Sequence, residues 1–128
     1  MKNIETVSDC MTPCPVTLPP SATIDKVIEK MEQNNIRHIP VAADGKVIGI
    51  LSEREIKRYE PFMDSDSVFV SDVMVKNPYQ VNKKTPLVDV VKTMAEKKMG
   101  SVIVTGNGGN IVGIFTTTDA LVQLAKHV

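Results

Sequence analysis

The chain has 128 residues, of which 42% are hydrophobic and 23% are charged, and it contains no tryptophan. This length is enough for one domain with a true core or for two small halves that share one. Lys plus Arg equal Asp plus Glu at 15 each, so there is no basic excess to hold a nucleic-acid backbone. The balance argues against general nucleic-acid binding and favours a small molecule or a protein as the partner.

The apolar runs are short and interrupted by charges, and residues 1–5 begin no signal-peptide core. We therefore expect neither export nor membrane insertion, and a cytoplasmic location. Cys10 and Cys14 are the only cysteines, with no second pair or nearby histidine to complete a zinc site. We predict reduced, partly buried thiols, no metal site and no required cofactor.

An internal repeat organises the chain. Val-Ser-Asp-Cys-Met at 7–11 recurs as Val-Ser-Asp-Val-Met at 70–74, and Gly-Ile at 49–50 recurs at 113–114 after one inserted residue. Repetition of this kind indicates two copies of one supersecondary unit. We predict a first copy at 1–60, a polar linker at 61–67 and a second copy at 68–128.

Each copy is predicted to have the order strand, helix, strand, strand, helix. The first helix of each copy carries apolar residues at the i, i+3, i+4, i+7 spacing of one helix face. These residues are Ile24, Val27, Ile28 and Met31 in the first copy, and Leu87, Val90, Val91 and Met94 in the second. Thr23 is predicted to cap one helix, and Thr85 with Pro86 at the first helical position to begin the other.

The remaining elements flank these helices. The predicted strands are 16–18, 39–42 and 47–51 in the first copy and 79–81, 101–104 and 111–115 in the second, and the terminal helices are 53–59 and 117–126. A three-stranded sheet with helices on one face must bury its other face against its twin. We therefore predict one module of the α/β (α+β) class, built from two halves related by a pseudo-twofold axis.

The segment 113–121 is an apolar strand that runs into a hydroxyl-rich turn and then begins a helix. A helix start leaves backbone N–H groups unpaired and carries about half a positive charge, so it suits phosphate or another anion. Thr116 and Asp119 have the spacing of a capping box, which is the simpler interpretation. The alternative is that hydroxyl and N–H groups here bind phosphate while Asp119 binds a ribose diol.

Two copies that each end in a Gly-apolar-apolar-Ser/Thr-x-x-acid turn closely resemble the cystathionine beta-synthase (CBS) domain pair, also called a Bateman module. Met-Thr-Pro at 11–13, Ile-Arg-His-Ile-Pro-Val at 36–41 and the turns that begin at Gly49 and Gly113 fit that pattern. The resemblance covers nearly the whole chain. It implies a stand-alone regulatory module with two clefts, each lined by both halves, that binds an adenosyl compound such as AMP, ADP, ATP, S-adenosylmethionine or NAD.

The resemblance also assigns roles to residues of the second half. Asp119 is expected to bind the ribose hydroxyls, and Thr116 and Thr118 the phosphate or ribose. The wall from the other half is expected to comprise Cys14, Val16 and Ile36 around the base, with Arg37 and His38 near the phosphates. The alternatives are a solvated strand-edge charge for Arg37 and a hydrogen-bonded packing residue for His38.

A second, weaker site is expected at the turn of the first half. Its residues are the counterparts of those above, namely Ser52, Arg54, Glu55, Asn77, Tyr79 and Met99. Glu55 stands where the family usually has Asp, and its extra methylene would meet the diol at a different depth. Gly100 and Ser101 replace the cationic pair of the first half, so local positive charge is thinner. We therefore predict that the Asp119 site is the better one.

Three classes of function remain in competition. The leading one is a sensor of adenosyl ligands that acts on an effector protein. The second is a ligand-free scaffold that dimerises and docks on a partner protein. For either function we predict a homodimer, because the terminal helices carry apolar residues that need a cover and the resemblance implies association through such helices; these residues are Ile56, Ala120, Leu121 and Leu124. An enzyme is the weakest, because the chain has two histidines and no evident nucleophile–base spacing or paired carboxylates. We expect no catalytic residues.

Overall fold

The computed structural model describes residues 5–13 and 16–127. They fall into two compact units, one formed by Pro15–Pro78 and the other by Met1–Cys14 together with Tyr79–Val128. In each unit a small sheet is combined with helices, as the predicted fold class requires. In the described residues no helix is long and apolar enough to cross a membrane.

The unit of residues 15–78 has a three-stranded antiparallel sheet with the strand order β2-β3-β4. Its elements are α2 (Ile24–Asn34), β2 (His38–Ala43), β3 (Lys46–Ser52), α3 (Glu53–Tyr59), a 3-10 turn (Glu60–Phe62), α4 (Val70–Val73) and β4 (Val75–Lys76). Asp44 and Gly45 join β2 to β3 with φ angles of 52° and 77°. Two successive residues with positive φ form the two-residue hairpin turn that matches strand twist.

The other unit has a four-stranded sheet with the strand order β1-β7-β6-β5. Its elements are α1 (Val7–Cys10), β1 (Thr12–Pro13), β5 (Gln80–Asn82), α5 (Leu87–Lys97), β6 (Ser101–Thr105), β7 (Ile111–Thr116) and α6 (Thr117–Lys126). Strand β5 is parallel to β6, whereas the other pairs are antiparallel. The bounds of α3 and α6 are those predicted from the sequence.

Each unit has its own apolar core beneath its sheet. Helix α2 contributes Ile24, Val27 and Met31 to the first core, and α5 contributes Val90 and Met94 to the second. The predicted faces are buried at these positions, but Val91, which was predicted to lie on the apolar face of α5, is 38% exposed. Burial of an aliphatic side chain contributes about 1.5–3 kcal/mol, so these positions are the main support of both units.

Two further predicted details are wrong. Pro86 is not the first residue of its helix but the cap before it, since its ψ of 135° is extended and it pairs with Thr6. The segment 16–18 forms no strand, and Leu18 joins the sheet through an isolated bridge to Val41. Proline lacks the N–H that a ladder needs, so the Pro-Pro sequence at 19–20 ends the pairing at once.

The segment that leads each sequence repeat packs in the unit built from the other repeat. Elements α1 and β1 begin the first repeat but join β7 and α5 in the unit of the second. In the same way, α4 and β4 begin the second repeat but lie with β3 and α3 in the unit of the first. Backbone bonds fix both exchanges, from Val7 N–H to Thr85 C=O at 2.9 Å and from Ile24 N–H to Val68 C=O at 3.1 Å.

Candidate functional site

The junction of β7 and α6 carries the principal candidate site. Thr116 has an extended backbone and is the N-cap of α6, where its hydroxyl accepts the N–H of Asp119 at 3.3 Å. The Asp119 carboxylate makes the reciprocal hydrogen bonds of the cap: its Oδ2 accepts the Thr116 N–H at 2.9 Å and the Thr116 hydroxyl at 3.1 Å. The predicted capping box is thus confirmed, and it holds both side chains half-buried at the helix start.

The second oxygen of this carboxylate has a partner from the far end of the chain. The Thr12 hydroxyl on β1 donates to Oδ1 of Asp119 at 3.0 Å. A carboxylate offers about four lone-pair positions, and three donors occupy three of them. One acceptor position, on Oδ1, is left for a ligand. Sequence reasoning missed Thr12, although it lies in the Met-Thr-Pro motif at 11–13.

The first turn of α6 also presents a backbone donor. The N–H of Thr117 donates to Gly100 C=O at 3.0 Å, and the N–H of Asp119 donates to the Thr116 hydroxyl. In the described part of the chain, Thr118 N–H has no acceptor outside the helix, and the Thr118 side chain is exposed. The positive end of the helix dipole lies at the same place. A backbone donor and a carboxylate acceptor therefore meet at this junction.

The turn between β3 and α3 repeats the cap with a longer acid. Oε1 of Glu55 accepts the Ser52 hydroxyl at 2.7 Å and the Ser52 N–H at 3.1 Å, and Glu55 N–H donates to Ser52 Oγ at 3.4 Å. The extra methylene is therefore compatible with the capping box. However, both bonds end on one oxygen, and the residue equivalent to Thr12 in strand pairing is Val75, which has no hydroxyl.

A glycine precedes each turn because a methionine packs against it. A Cβ added to Gly113 would lie 2.8 Å from Thr12 C=O and would overlap Sδ of Met11. At Gly49 the Cβ would lie 3.0 Å from Val75 C=O and would overlap the sulfur of the equivalent methionine. Contacts under 3.0 Å are not tolerated without movement, so glycine at these positions lets the exchanged segment pair closely with the strand.

The residues that the resemblance assigns to the base and phosphates lie in the other unit. Ile36 is half-buried against the core, and its N–H donates to Met31 C=O at 3.0 Å. Arg37 is exposed, and its charge helps to lower the pKa of Glu53, after the larger effects of a hydrogen bond to Lys57 and the charge of Lys57.

Two further wall residues are in this unit. His38 is half-buried and faces Ser52 across the β2–β3 pair, and Val16 is half-buried. Cys14 lies outside the described residues. Cys10 is a half-buried free thiol, and burial, followed by the charges of Glu5 and Asp9, raises its pKa.

The residues expected at the weaker site are likewise divided between the units. Arg54 and Asn77 are exposed in the unit of residues 15–78, and Asn77 has a φ of 51° with its N–H on Ile48 C=O at 3.2 Å. Tyr79 and Met99 belong to the other unit and pack half-buried against its core. The Nζ of Lys97 lies 5.9 Å from the centre of the Tyr79 ring, which fits a cation–π contact.

Each unit combines a strand that contains a glycine with a helix that begins at a Ser/Thr-x-x-acid cap. The two units together define a tandem-repeat module. The chain belongs to the CBS domain family, because the model of that domain matches residues 7–61 and 70–126. A CBS domain-containing protein of Dictyostelium discoideum is 26% identical over an alignment of 132 residues, and the match covers 94% of this chain and 91% of that protein. An inosine-5'-monophosphate dehydrogenase of Korarchaeum cryptofilum is 26% identical over 104 residues, and the match covers 81% of this chain but only 21% of that enzyme.

Solved structures share the fold. The CBS domain pair of protein MJ0100, in complex with 5'-methylthioadenosine and S-adenosyl-L-methionine, has a TM-score of 0.86 at 21% identity and covers 98% of this chain and 100% of that one. CBSX2 in complex with AMP has a TM-score of 0.74 at 23% identity, with 94% and 96% covered. The ATP complex of the CBS domain of a bacterial CNNM/CorC family Mg²⁺ transporter has a TM-score of 0.80 at 19% identity, with 94% and 87% covered. At these identities the likeness shows the fold alone.

Proposed function

We propose that the protein is a regulatory module that binds an adenosine-containing ligand at the turn formed by Thr116 and Asp119. The observation that carries the proposal is the half-buried carboxylate of Asp119, which retains an acceptor position beside a free backbone donor at a helix start. A ribose hydroxyl needs such an acceptor, and a phosphate oxygen needs such a donor. The same junction therefore suits both polar parts of a nucleotide.

The ligands of structural neighbours support the choice of adenosyl compounds. Three neighbouring CBS structures were solved with AMP, with ATP, or with 5'-methylthioadenosine and S-adenosyl-L-methionine. All four compounds contain adenosine, whereas their remaining groups differ in charge and size. We expect recognition of the adenosine moiety, and the panel to be tested is AMP, ADP, ATP, S-adenosylmethionine and NAD.

We propose that the Asp119 site binds more tightly than the Glu55 site. Asp119 is held through both carboxylate oxygens, whereas Glu55 is held through one. A side chain that is already fixed in its binding geometry loses less conformational freedom when the ligand arrives. Arg54, Asn77, Tyr79 and Met99 remain predicted contributors to the weaker site.

The contribution of the other unit to the stronger site also remains a prediction. Val16, Ile36, Arg37 and His38 are expected there from the family resemblance, and so is Cys14. Arg37 is exposed, which leaves its guanidinium accessible to a phosphate group.

We further propose that the active form is a cytoplasmic homodimer that acts on an effector protein. Helix α6 exposes Leu121 and Leu124 at 59% each and Val122 at 49%. Ile56, which was expected to need a partner, is only 4% exposed because its own unit covers it, and Ala120 packs into the second core. The dimer surface is therefore expected on α6 and not on α3. A scaffold without a ligand is the alternative function that this surface favours.

A thermal-shift screen of the intact chain with the five compounds separates the sensor from the scaffold. Ligand at a hundred times its dissociation constant should raise the free energy of unfolding by about 2.7 kcal/mol, and the midpoint by on the order of 10 °C. GMP and inorganic phosphate are the controls for base and phosphate. A response to none of the five compounds would refute the sensor and leave the scaffold.

A further inference from the structure

The hydrogen bond between Thr12 and Asp119 joins residues 107 positions apart in the sequence. Thr12 lies on β1, where it faces Ile114 across the antiparallel pair with β7. It is thus a residue of the exchanged segment that reaches the acid of the candidate site. No sequence motif for the ligand turn includes it.

The position of this hydroxyl is fixed by the packing on either side of it. Met11, the preceding residue, packs its sulfur against Gly113, and β1 pairs with β7 at Thr12 and Pro13. The helix α1 that precedes β1 is held by the bond from Val7 N–H to Thr85 C=O at 2.9 Å. Thr12 is therefore presented to the carboxylate by a docked segment and not by a free chain end.

The bond from Thr12 leaves some acceptor positions of the turn unused, and these can be counted. Oδ2 of Asp119 accepts two donors from Thr116, so its two lone pairs are used. Oδ1 accepts the Thr12 hydroxyl and keeps one lone pair. The Thr116 hydroxyl donates one bond and accepts one, and it also keeps one lone pair. Two adjacent acceptor positions on different residues remain, which is the number that a vicinal diol requires.

We propose that Thr12 is a positioning residue of the Asp119 site: its hydroxyl fixes the Asp119 carboxylate so that Oδ1 and the Thr116 hydroxyl each accept one hydroxyl of a ribose diol. The inference rests on the proposed function. It also distinguishes the two turns, because Val75 occupies the equivalent strand position beside the Glu55 turn and cannot supply this bond. The residues at positions 12 and 75 thereby determine which turn binds more tightly.

The test uses Thr12→Val and Thr12→Ser in the full chain, with AMP binding measured by calorimetry. Valine is accepted by the fold, since Val75 occupies the same place in the other unit. Loss of one hydrogen bond to a carboxylate should weaken AMP binding by about fivefold to tenfold, whereas serine should stay within about twofold of the wild type. Thr105→Val removes a hydroxyl that bonds to Val81 C=O in the same unit and should leave AMP binding unchanged.

Unfolding of the ligand-free chain provides an independent readout. If the bond exists in solution, Thr12→Val and Asp119→Ala combined should lower the unfolding midpoint by less than the sum of the two single effects. Additive effects would overturn the proposal, and so would unchanged or tighter AMP binding by Thr12→Val, or equal weakening by the serine and valine variants. If wild-type protein binds none of AMP, ATP and S-adenosylmethionine, the proposed function fails and this role fails with it. Retention of binding in Thr12→Val overturns the role of Thr12 only.

Discussion

Met11 packs against Gly113 so closely that a side chain on the glycine would overlap the methionine sulfur. The same relationship recurs between Gly49 and Met74 in the other unit. In both places the methionine belongs to the segment that leads the other sequence repeat. Glycine before the ligand turn is therefore a requirement of the exchange between repeats.

Gly113→Ala should destabilise the chain by roughly 1–3 kcal/mol, the usual cost of overpacking. The methionine can move, but the carbonyl oxygen of Thr12, 2.8 Å from the new Cβ, belongs to the paired backbone and cannot move without opening β1 from β7. Urea denaturation of the variant measures this cost. Gly108→Ala is the matched control, because its nearest neighbour would be 3.7 Å from the Cβ. Equal stability of the two variants would show that β1 does not pack on β7 as described.

The linker before α4 should make stability depend on pH. A side-chain hydrogen bond that the protonated Asp64 carboxyl donates to Asp66, and then the charge of Asp66, raise the pKa of Asp64 above its ordinary value of 3.8. A carboxyl group whose pKa is raised by folding stabilises the folded state at low pH, and this contribution is lost as the pH rises through the folded-state pKa. Wild-type protein should thus gain stability relative to Asp66→Asn as the pH falls from about 7 towards about 4.5.

Urea midpoints of the two proteins across this range measure the effect. At neutral pH, Asp66→Asn should be the more stable protein, since it lacks the repulsion between the two carboxylates. Glu60→Gln removes one charge from the same region but outside the pair, and its stability relative to the wild type should change less with pH. Parallel curves for Asp66→Asn and wild type would contradict an interaction between Asp64 and Asp66.

Association through α6 should be sensitive to a single charge. Leu124→Glu places a carboxylate on a side chain that is 59% exposed on this helix, and burying it in a dimer would be costly. We expect the wild type to sediment as a dimer and the variant as a monomer with unchanged circular dichroism. Val88→Glu, at a 54% exposed valine on α5, should remain dimeric. A monomeric wild type would refute the proposed dimer.

Elements with a local signal were predictable from the sequence. The bounds of α3 and α6 follow from the Ser/Thr-x-x-acid caps, and the buried face of α2 follows from apolar spacing. The short helices α1 and α4 have four residues each, which is too few for a periodic pattern. The sequence shows that these two segments repeat, but it does not show that they are helical.

The exchange of segments could not be read from the repeat. Which copy a leading segment packs against is decided by long-range pairing, such as that of Thr12 with Ile114 and of Val75 with Ile50. The contact between Thr12 and Asp119 was not predictable for the same reason, because it too depends on the long-range pairing of β1 with β7. The difference between Asp119 and Glu55 was visible in the sequence, but the capping box that both residues form shows that side-chain length alone does not disrupt the turn.

The most direct test of ligand binding at Asp119 is calorimetric titration of AMP into wild type, Asp119→Ala and Glu55→Ala. Both variants lose the acid of a capping box, so each is the control for the structural effect of the other. We predict that Asp119→Ala weakens AMP binding by about tenfold or more, the loss expected for hydrogen bonds to a charged group, while Glu55→Ala keeps most of it. Weak binding by Glu55→Ala with normal binding by Asp119→Ala would contradict the account.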